Sequence, residues 1–294
     1  MSWRHALLID PAASDDARSD FGSTFAEHDP GAPALLLGDL SAQRGDGVFE
    51  TLGALDGIPH QVEAHLERLA RSAALMDLPA PHLGQWRQAI ARAASACPPG
   101  EATIKLVLSR GLDDGRTATA WISVAQAPDF TAARTGGIRL VTLDRGVDRD
   151  AAARAPWLML GAKTLSYAVN MAALREARRR GADDALFVSS DGYVLEAPTA
   201  TALLRIDGIY VTPPASSGIL HGTTQLSAFA WLDGQGISVQ YRDVPVSELD
   251  RVDAMWLLSS VRLAAPVREL DARPVVVDAA LTAALNAALL ARTS

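Results

Sequence analysis

The stretch Arg44-Gly45-Asp46-Gly47-Val48-Phe49-Glu50-Thr51-Leu52-Gly53-Ala54-Leu55-Asp56-Gly57 sets the character of the fold. Val48 to Leu55 reads as a strand, and Asp56-Gly57 as a hairpin turn, because both central positions of a type I′ turn need positive φ. Ile58 to Gln61 is then a short return strand. Downstream, Val62, Leu66, Leu69, Ala73 and Met76 recur at helical spacing, which predicts a helix over 62–76 stopped by Leu78-Pro79. A second helix is predicted over 83–96, closed by Pro98-Pro99-Gly100, with β-like runs at 102–109 and 117–125. Upstream, residues 1–30 read as irregular, with a polar surface loop at 14–20.

Pro128 and the Gly136-Gly137 pair interrupt the pattern. This break predicts a small N-terminal α+β domain over 1–130 and a larger C-terminal domain over 131–294. In the second half, strands are expected at 138–143, 185–189, 193–195, 201–205, 209–212 and 254–258. A helix over 166–180 ends in Arg178-Arg179-Arg180 before Gly181, a favourable C-terminus, and another helix opens at Gly222-Thr223-Thr224. Strands outnumber helices without regular alternation, so the fold class is α+β rather than a doubly wound sheet.

The 294 residues are 49% hydrophobic but only 5% aromatic, enough for two cores built of Ala, Leu and Val. A net charge of −7 argues against nucleic acid or an anionic membrane as the main partner. No apolar run reaches the roughly 20 residues that span a bilayer. Cys97 is the single cysteine, and Met1 to His5 lacks the features of a secretory leader, so a reducing cytoplasm is the expected location.

The chain has no G-x-S-x-G, H-E-x-x-H, C-x-x-C, P-loop or complete G-x-G-x-x-G. His60 and His65, five residues apart, would face different sides of a helix, and no metal site is expected. Four separated segments carry chemistry instead. Arg68 lies in His65-Leu66-Glu67-Arg68-Leu69. Lys163 lies in Gly161-Ala162-Lys163-Thr164-Leu165-Ser166-Tyr167, Glu196 follows Tyr193-Val194-Leu195, and Gly222-Thr223-Thr224 starts a helix. Taken singly each has a bland reading, since charged residues are ordinarily solvated and Thr223 suits an N-cap.

In combination, these runs resemble the class IV aminotransferases, the fold-type IV enzymes that use pyridoxal 5′-phosphate. The likeness extends from Gly38 to Val267 and includes Arg44 to Thr51, Gly181-Ala182-Asp183-Asp184-Ala185 and Gly218 to Thr224. It implies two α/β domains with the cofactor in the cleft between them, and a homodimer. It also implies that Lys163 holds the cofactor as a Schiff base and serves as the base at the substrate Cα. Glu196 would pair with the pyridine nitrogen and keep it protonated.

By the same resemblance Arg68 would make charge-assisted bonds to the phosphate. Thr223 and Thr224, at a helix N-terminus where the dipole favours an anion, and Ser260 would complete that site. Tyr167 falls where some members place a tyrosine beside the cofactor. Two departures stand out: Thr201 replaces the usual Asn, and Ala197-Pro198 replaces a small flexible residue after the glutamate, with Thr199 left to supply a hydroxyl.

The run Arg44 to Thr51 and the compact Lys163 to Tyr167 segment look most like 4-amino-4-deoxychorismate lyases and D-amino acid aminotransferases. Thr51 falls where the lyase carries a threonine near substrate, and Arg110 and Arg116 bracket a loop that presents arginine to a substrate carboxylate in relatives. The lyase, giving p-aminobenzoate and pyruvate for folate biosynthesis, is the first reading; a D-amino acid or broad class IV transaminase is the alternative. Outside enzymes stands a cofactor-binding protein without turnover, against which an intact Lys163 and Glu196 speak.

Overall fold

The computed structural model describes residues 3–113 and 118–291. They form two compact units. The first comprises residues up to Pro128 together with Ala162–Tyr167, and the second comprises Asp129–Gly161 and Ala168–Ala291. The two consecutive domains expected from sequence, 1–130 and 131–294, are therefore amended at 162–167. Local pairing explains it: Thr164 bridges Val48, Phe49 N–H donates to the Lys163 carbonyl (3.0 Å), and Leu165 N–H donates to the Gly47 carbonyl (2.7 Å).

The first unit is a six-stranded antiparallel sheet of β1 (Trp3–Ile9), β2 (Phe25–His28), β3 (Gly47–Leu55), β4 (Ile58–Pro59), β5 (Glu101–Ser109) and β6 (Thr119–Gln126), ordered β2-β1-β6-β5-β3-β4. At the β3–β4 turn, Asp56 and Gly57 both have positive φ, 48° and 79°. The helices Val62–Leu75 and Leu83–Ala94 bury Leu66, Leu69 and Ala73, and Trp86, Ile90 and Ala93. Residues 1–30 are not irregular throughout: β1 and β2 flank the sheet, and the run between them is anchored through Gln85, which bonds Ala12, Asp10 and Thr24.

The second unit is an eight-stranded mixed sheet. Its strands are β7 (Ile138–Asp144), β8 (Asp184–Val188), β9 (Thr201–Ile206), β10 (Ile209–Thr212), β11 (Val239–Tyr241), β12 (Val252–Ser259), β13 (Leu263–Leu270) and β14 (Arg273–Pro274), with the order β11-β10-β9-β12-β13-β7-β8 and β14 beside β13. Residues 193–195 make only isolated bridges rather than the expected strand.

Successive residues of β12 serve opposite cores: Met255 and Leu257 join one cluster, Ala254, Trp256 and Leu258 the other. A strand buried on both faces has no polar alternation, which is why it reads as a continuous apolar run. The helices Thr223–Gly234 and Ala279–Ala291 cover the second face with Phe229, Leu232, Leu285 and Leu289. Their neighbourhood is tied by Trp256 Nε1–H to Thr282 Oγ1 (2.7 Å) and by Asn286, which bonds both backbone groups of Ala264 at 2.9 Å. No helix among the described residues is long and apolar enough to cross a membrane.

Candidate active site

In the first unit the Lys163 segment is locked from both sides. Besides the pairing to β3, the Lys163 N–H donates to Ser72 Oγ on the helix Val62–Leu75 (3.1 Å). The glycines of Arg44-Gly45-Asp46-Gly47 make room for it. Gly45 has φ 68°, and a Cβ there would lie 2.9 Å from Ser166 Oγ; a Cβ on Gly47 would lie 2.8 Å from Leu165 Cδ1 and 2.7 Å from the Leu108 carbonyl. The motif legible in the sequence is thus a seat for the lysine-bearing strand.

The Lys163 Nζ rests 4.4 Å from the centroid of Phe49, and Tyr167 meets the same ring edge-on at 5.3 Å. Lys105, a residue the sequence reading passed over, places its Nζ 4.9 Å from that centroid. Lys105 pairs with Thr51 across β5 and β3, so both share the sheet face of Phe49. Burial lowers the pKa of the Lys105 ammonium. A lone charged residue inside the otherwise uncharged run Ala102 to Ser109 is the available signal.

The other face of β3 carries Glu50, also passed over. It is 0% exposed and accepts from Arg68 Nε (2.7 Å, to Oε1), Arg68 Nη2 (2.8 Å, to Oε2) and His65 Nδ1 (2.6 Å, to Oε2). Burial favours the neutral acid, but the charge and hydrogen bonds of Arg68 and the contact with His65 outweigh it and hold the carboxyl well below its usual range. Burial lowers the His65 pKa, against the pull of Glu50, so the imidazole is neutral near pH 7.

Arg110 stands apart from these groups. Its guanidinium grips Asp46 (2.7 and 3.2 Å) and donates to the Met76 and Asp77 carbonyls (2.7 and 3.1 Å), so two contacts hold the residue before β3 and two the loop that ends the helix Val62–Leu75. The residue expected to meet a substrate carboxylate thus holds Asp46 and two backbone carbonyls in this structure. Arg116 lies outside the described residues.

In the second unit Glu196 sits on a turn beside β8, with Phe187 N–H donating to its carbonyl (2.8 Å) and Leu220 N–H to Oε2 (3.2 Å). It shares a small cavity with Arg145, Phe187, Leu195 and Ile219. Three residues beyond Leu220 the helix Thr223–Gly234 begins, and the Thr223 and Thr224 hydroxyls each lie 3.4 Å from Ser260 Oγ. Both threonines are buried. The loop of Ser260 is braced by Arg134, which donates to the Val261 and Arg262 carbonyls.

Thr201 has a clear packing role: a Cβ on Gly222 would lie 2.4 Å from its hydroxyl, so the threonine fits only against glycine. Pro198 is held by Asn170 Nδ2 donating to its carbonyl (2.6 Å). Thr199 is exposed in that turn. The donor chemistry of this unit fits a phosphate: three hydroxyls and the first N–H groups of a twelve-residue helix, with an acceptor carboxylate held by the same loop. Among the described residues no group of three or more His, Cys, Asp or Glu could hold a metal ion.

An α+β chain with these two constellations belongs to the amino-transferase class IV family, whose sequence profile matches residues 47–270 and whose members are pyridoxal-phosphate enzymes. A bifunctional aminodeoxychorismate lyase / D-amino acid transaminase of Mycobacterium tuberculosis is 46% identical over 255 residues, covering 83% of this chain and 88% of the relative. Among solved structures, a fold IV-transaminase from Curtobacterium pusillum superposes with a TM-score of 0.93 at 48% identity, over 98% of this chain and 99% of the other. The PLP-bound form of a hypothetical aminotransferase from Mycobacterium tuberculosis gives 0.88 at 40% identity, over 98% and 99%.

Proposed function

We propose that this enzyme acts on a small carboxylate-bearing amino substrate as a 4-amino-4-deoxychorismate lyase, releasing p-aminobenzoate and pyruvate for folate biosynthesis. The observation that carries the reading is the placement of Lys163: its N–H and its carbonyl are both hydrogen-bonded, and its ammonium shares the Phe49 ring with a second, half-buried ammonium. Transamination of D-amino acids is the second reading, favoured by the relative that bears both activities in its name.

Pyridoxal phosphate, when bound, supplies an electron sink for the charge left when a proton leaves the substrate Cα. Lys163 is the residue that would hold the cofactor and then carry that proton. Glu196, oriented by the Leu220 N–H, would keep the pyridine nitrogen charged. Arg68, Thr223, Thr224 and Ser260 would receive the phosphate. Tyr167, edge-on to Phe49, would flank the lysine. Lys105, with Thr51 beside it, would meet a substrate carboxylate, a task that the resemblance gives to Arg110.

Assembly as a cytoplasmic homodimer belongs to the same reading, supported by the adjoining exposed side chains of Leu35, Leu36 and Leu37; sedimentation at micromolar concentration tests it. To separate the two reactions, the purified protein is given either enzymatically generated aminodeoxychorismate or D-alanine with 2-oxoglutarate. Release of p-aminobenzoate supports the lyase, and pyruvate with glutamate from D-alanine supports the transaminase. Neither product from a cofactor-loaded preparation overturns both.

A further inference from the structure

β3 alternates Val48, Glu50 and Leu52 toward the helix Val62–Leu75, and all three are 0% exposed. A carboxylate in that row is out of place on transfer energetics, and a buried ion pair is often no more stabilising than apolar residues of the same volume. Its geometry explains it better. Glu50 takes the Nε and Nη2 edge of Arg68 in a two-point grip, and His65, one helical turn before Arg68, donates to the same carboxylate. Glu50 also accepts, at 3.3 Å, from the Thr51 N–H. The guanidinium plane is therefore fixed relative to β3, the strand that also seats Lys163.

The charge count adds a second point. Glu50 and Arg68 cancel, and a neutral His65 leaves the trio without net charge. We propose that Glu50, assisted by His65, is a positioning residue that aims Arg68 at the cofactor phosphate, so that Arg68 contributes placed donors rather than net positive charge. This rests on the phosphate role given to Arg68 above. It opposes the simpler idea that Arg68 is a free-standing cation attracting an anion.

The two ideas predict opposite signs for Glu50→Gln. That substitution keeps the shape but uncovers the arginine's charge. If charge governs, phosphate affinity rises; if aim governs, it falls. The cofactor-free protein is titrated with pyridoxal phosphate and, separately, with pyridoxal, each followed by visible absorbance.

The expected result is a loss of roughly ten- to a hundredfold in affinity for pyridoxal phosphate, the scale seen when the partner of a directly binding residue is removed. Affinity for pyridoxal should be unchanged. His65→Gln should give a smaller loss in the same direction. Unchanged or tighter pyridoxal phosphate binding, or equal loss of both compounds, overturns the proposal.

Should Glu50→Gln fail to fold, Arg68→Lys takes its place, since an ammonium keeps the charge but cannot be gripped along an edge. The same phosphate-selective loss is expected, and an unaltered affinity ratio overturns the proposal. A wild-type protein that binds neither compound overturns the cofactor reading itself, and the aim of Arg68 falls with it.

Discussion

The candidate site residues of the two units carry their polarity in contrasting ways. The first buries a full ion pair, Glu50 with Arg68, beneath β3 and balances it with His65. The second relies on uncharged hydroxyls and a helix N-terminus at Thr223, Thr224 and Ser260, braced by Arg134 from behind. An ion pair is costly to bury and sensitive to proton concentration, whereas hydroxyl donors are cheap and indifferent to it. One group of residues therefore spends stability to fix direction, and the other gathers several weak donors.

The sharpest way to break that contrast lies in the first unit. Lys163→Ala should remove the visible absorbance of the bound cofactor and all measurable turnover; retention of either in the purified variant would refute its role. Glu50→Ala should cost about 3–5 kcal/mol, because it strands a buried guanidinium; urea denaturation followed by circular dichroism measures it, and a loss below about 1 kcal/mol would mean the pair is solvated.

The same pair has a pH signature. Its carboxyl is held below the unfolded value, so the contribution is present above the ordinary glutamate range and drains away as pH falls through and below it. Acid titration of wild type against Glu50→Gln should show this dependence only in the wild type.

In the second unit the effects are smaller. Gly222→Ala drives a methyl against the β-branched Thr201, and overpacking of this kind costs about 1–3 kcal/mol. Thr201→Ala should restore most of it, a double-mutant test of contact. Thr223→Ala removes one hydroxyl and should weaken cofactor binding by about 0.5–1.5 kcal/mol, roughly two- to thirteenfold, with no pH dependence between about 6 and 8. A pH-dependent loss would show that the hydroxyl group of residues is coupled to a titrating neighbour after all.

Much of the fold was legible because its signals are local. The β3 hairpin announced itself through Asp56-Gly57, and the helix Val62–Leu75 through its apolar spacing. β1 was not legible: Trp3–Ile9 is a strand because Leu7 and Leu8 pair with Ile122 and Trp121 of β6, more than a hundred residues away. The helix Ala279–Ala291 is alanine- and leucine-rich nearly all round, leaving little periodicity to read. Candidate site residues stand out in the sequence only where a motif singles them out. Glu50 stands inside such a motif, but nothing in a linear string shows that its side chain meets Arg68 eighteen positions on. Arg110 illustrates the converse, a loop arginine whose acceptors, Asp46 and the Met76 and Asp77 carbonyls, become visible only on folding.

The insertion of residues 129–161 ahead of the segment 162–167 also has a temporal meaning. As the polypeptide leaves the ribosome, the first unit emerges without the segment that closes on Gly47, and waits while the intervening stretch is made, about two to seven seconds at ordinary elongation rates. The reactive amine is thus delivered to its unit late. A truncated product ending near Pro128 would expose an unfilled edge beside Gly45 and Gly47, a natural handle for quality-control proteases.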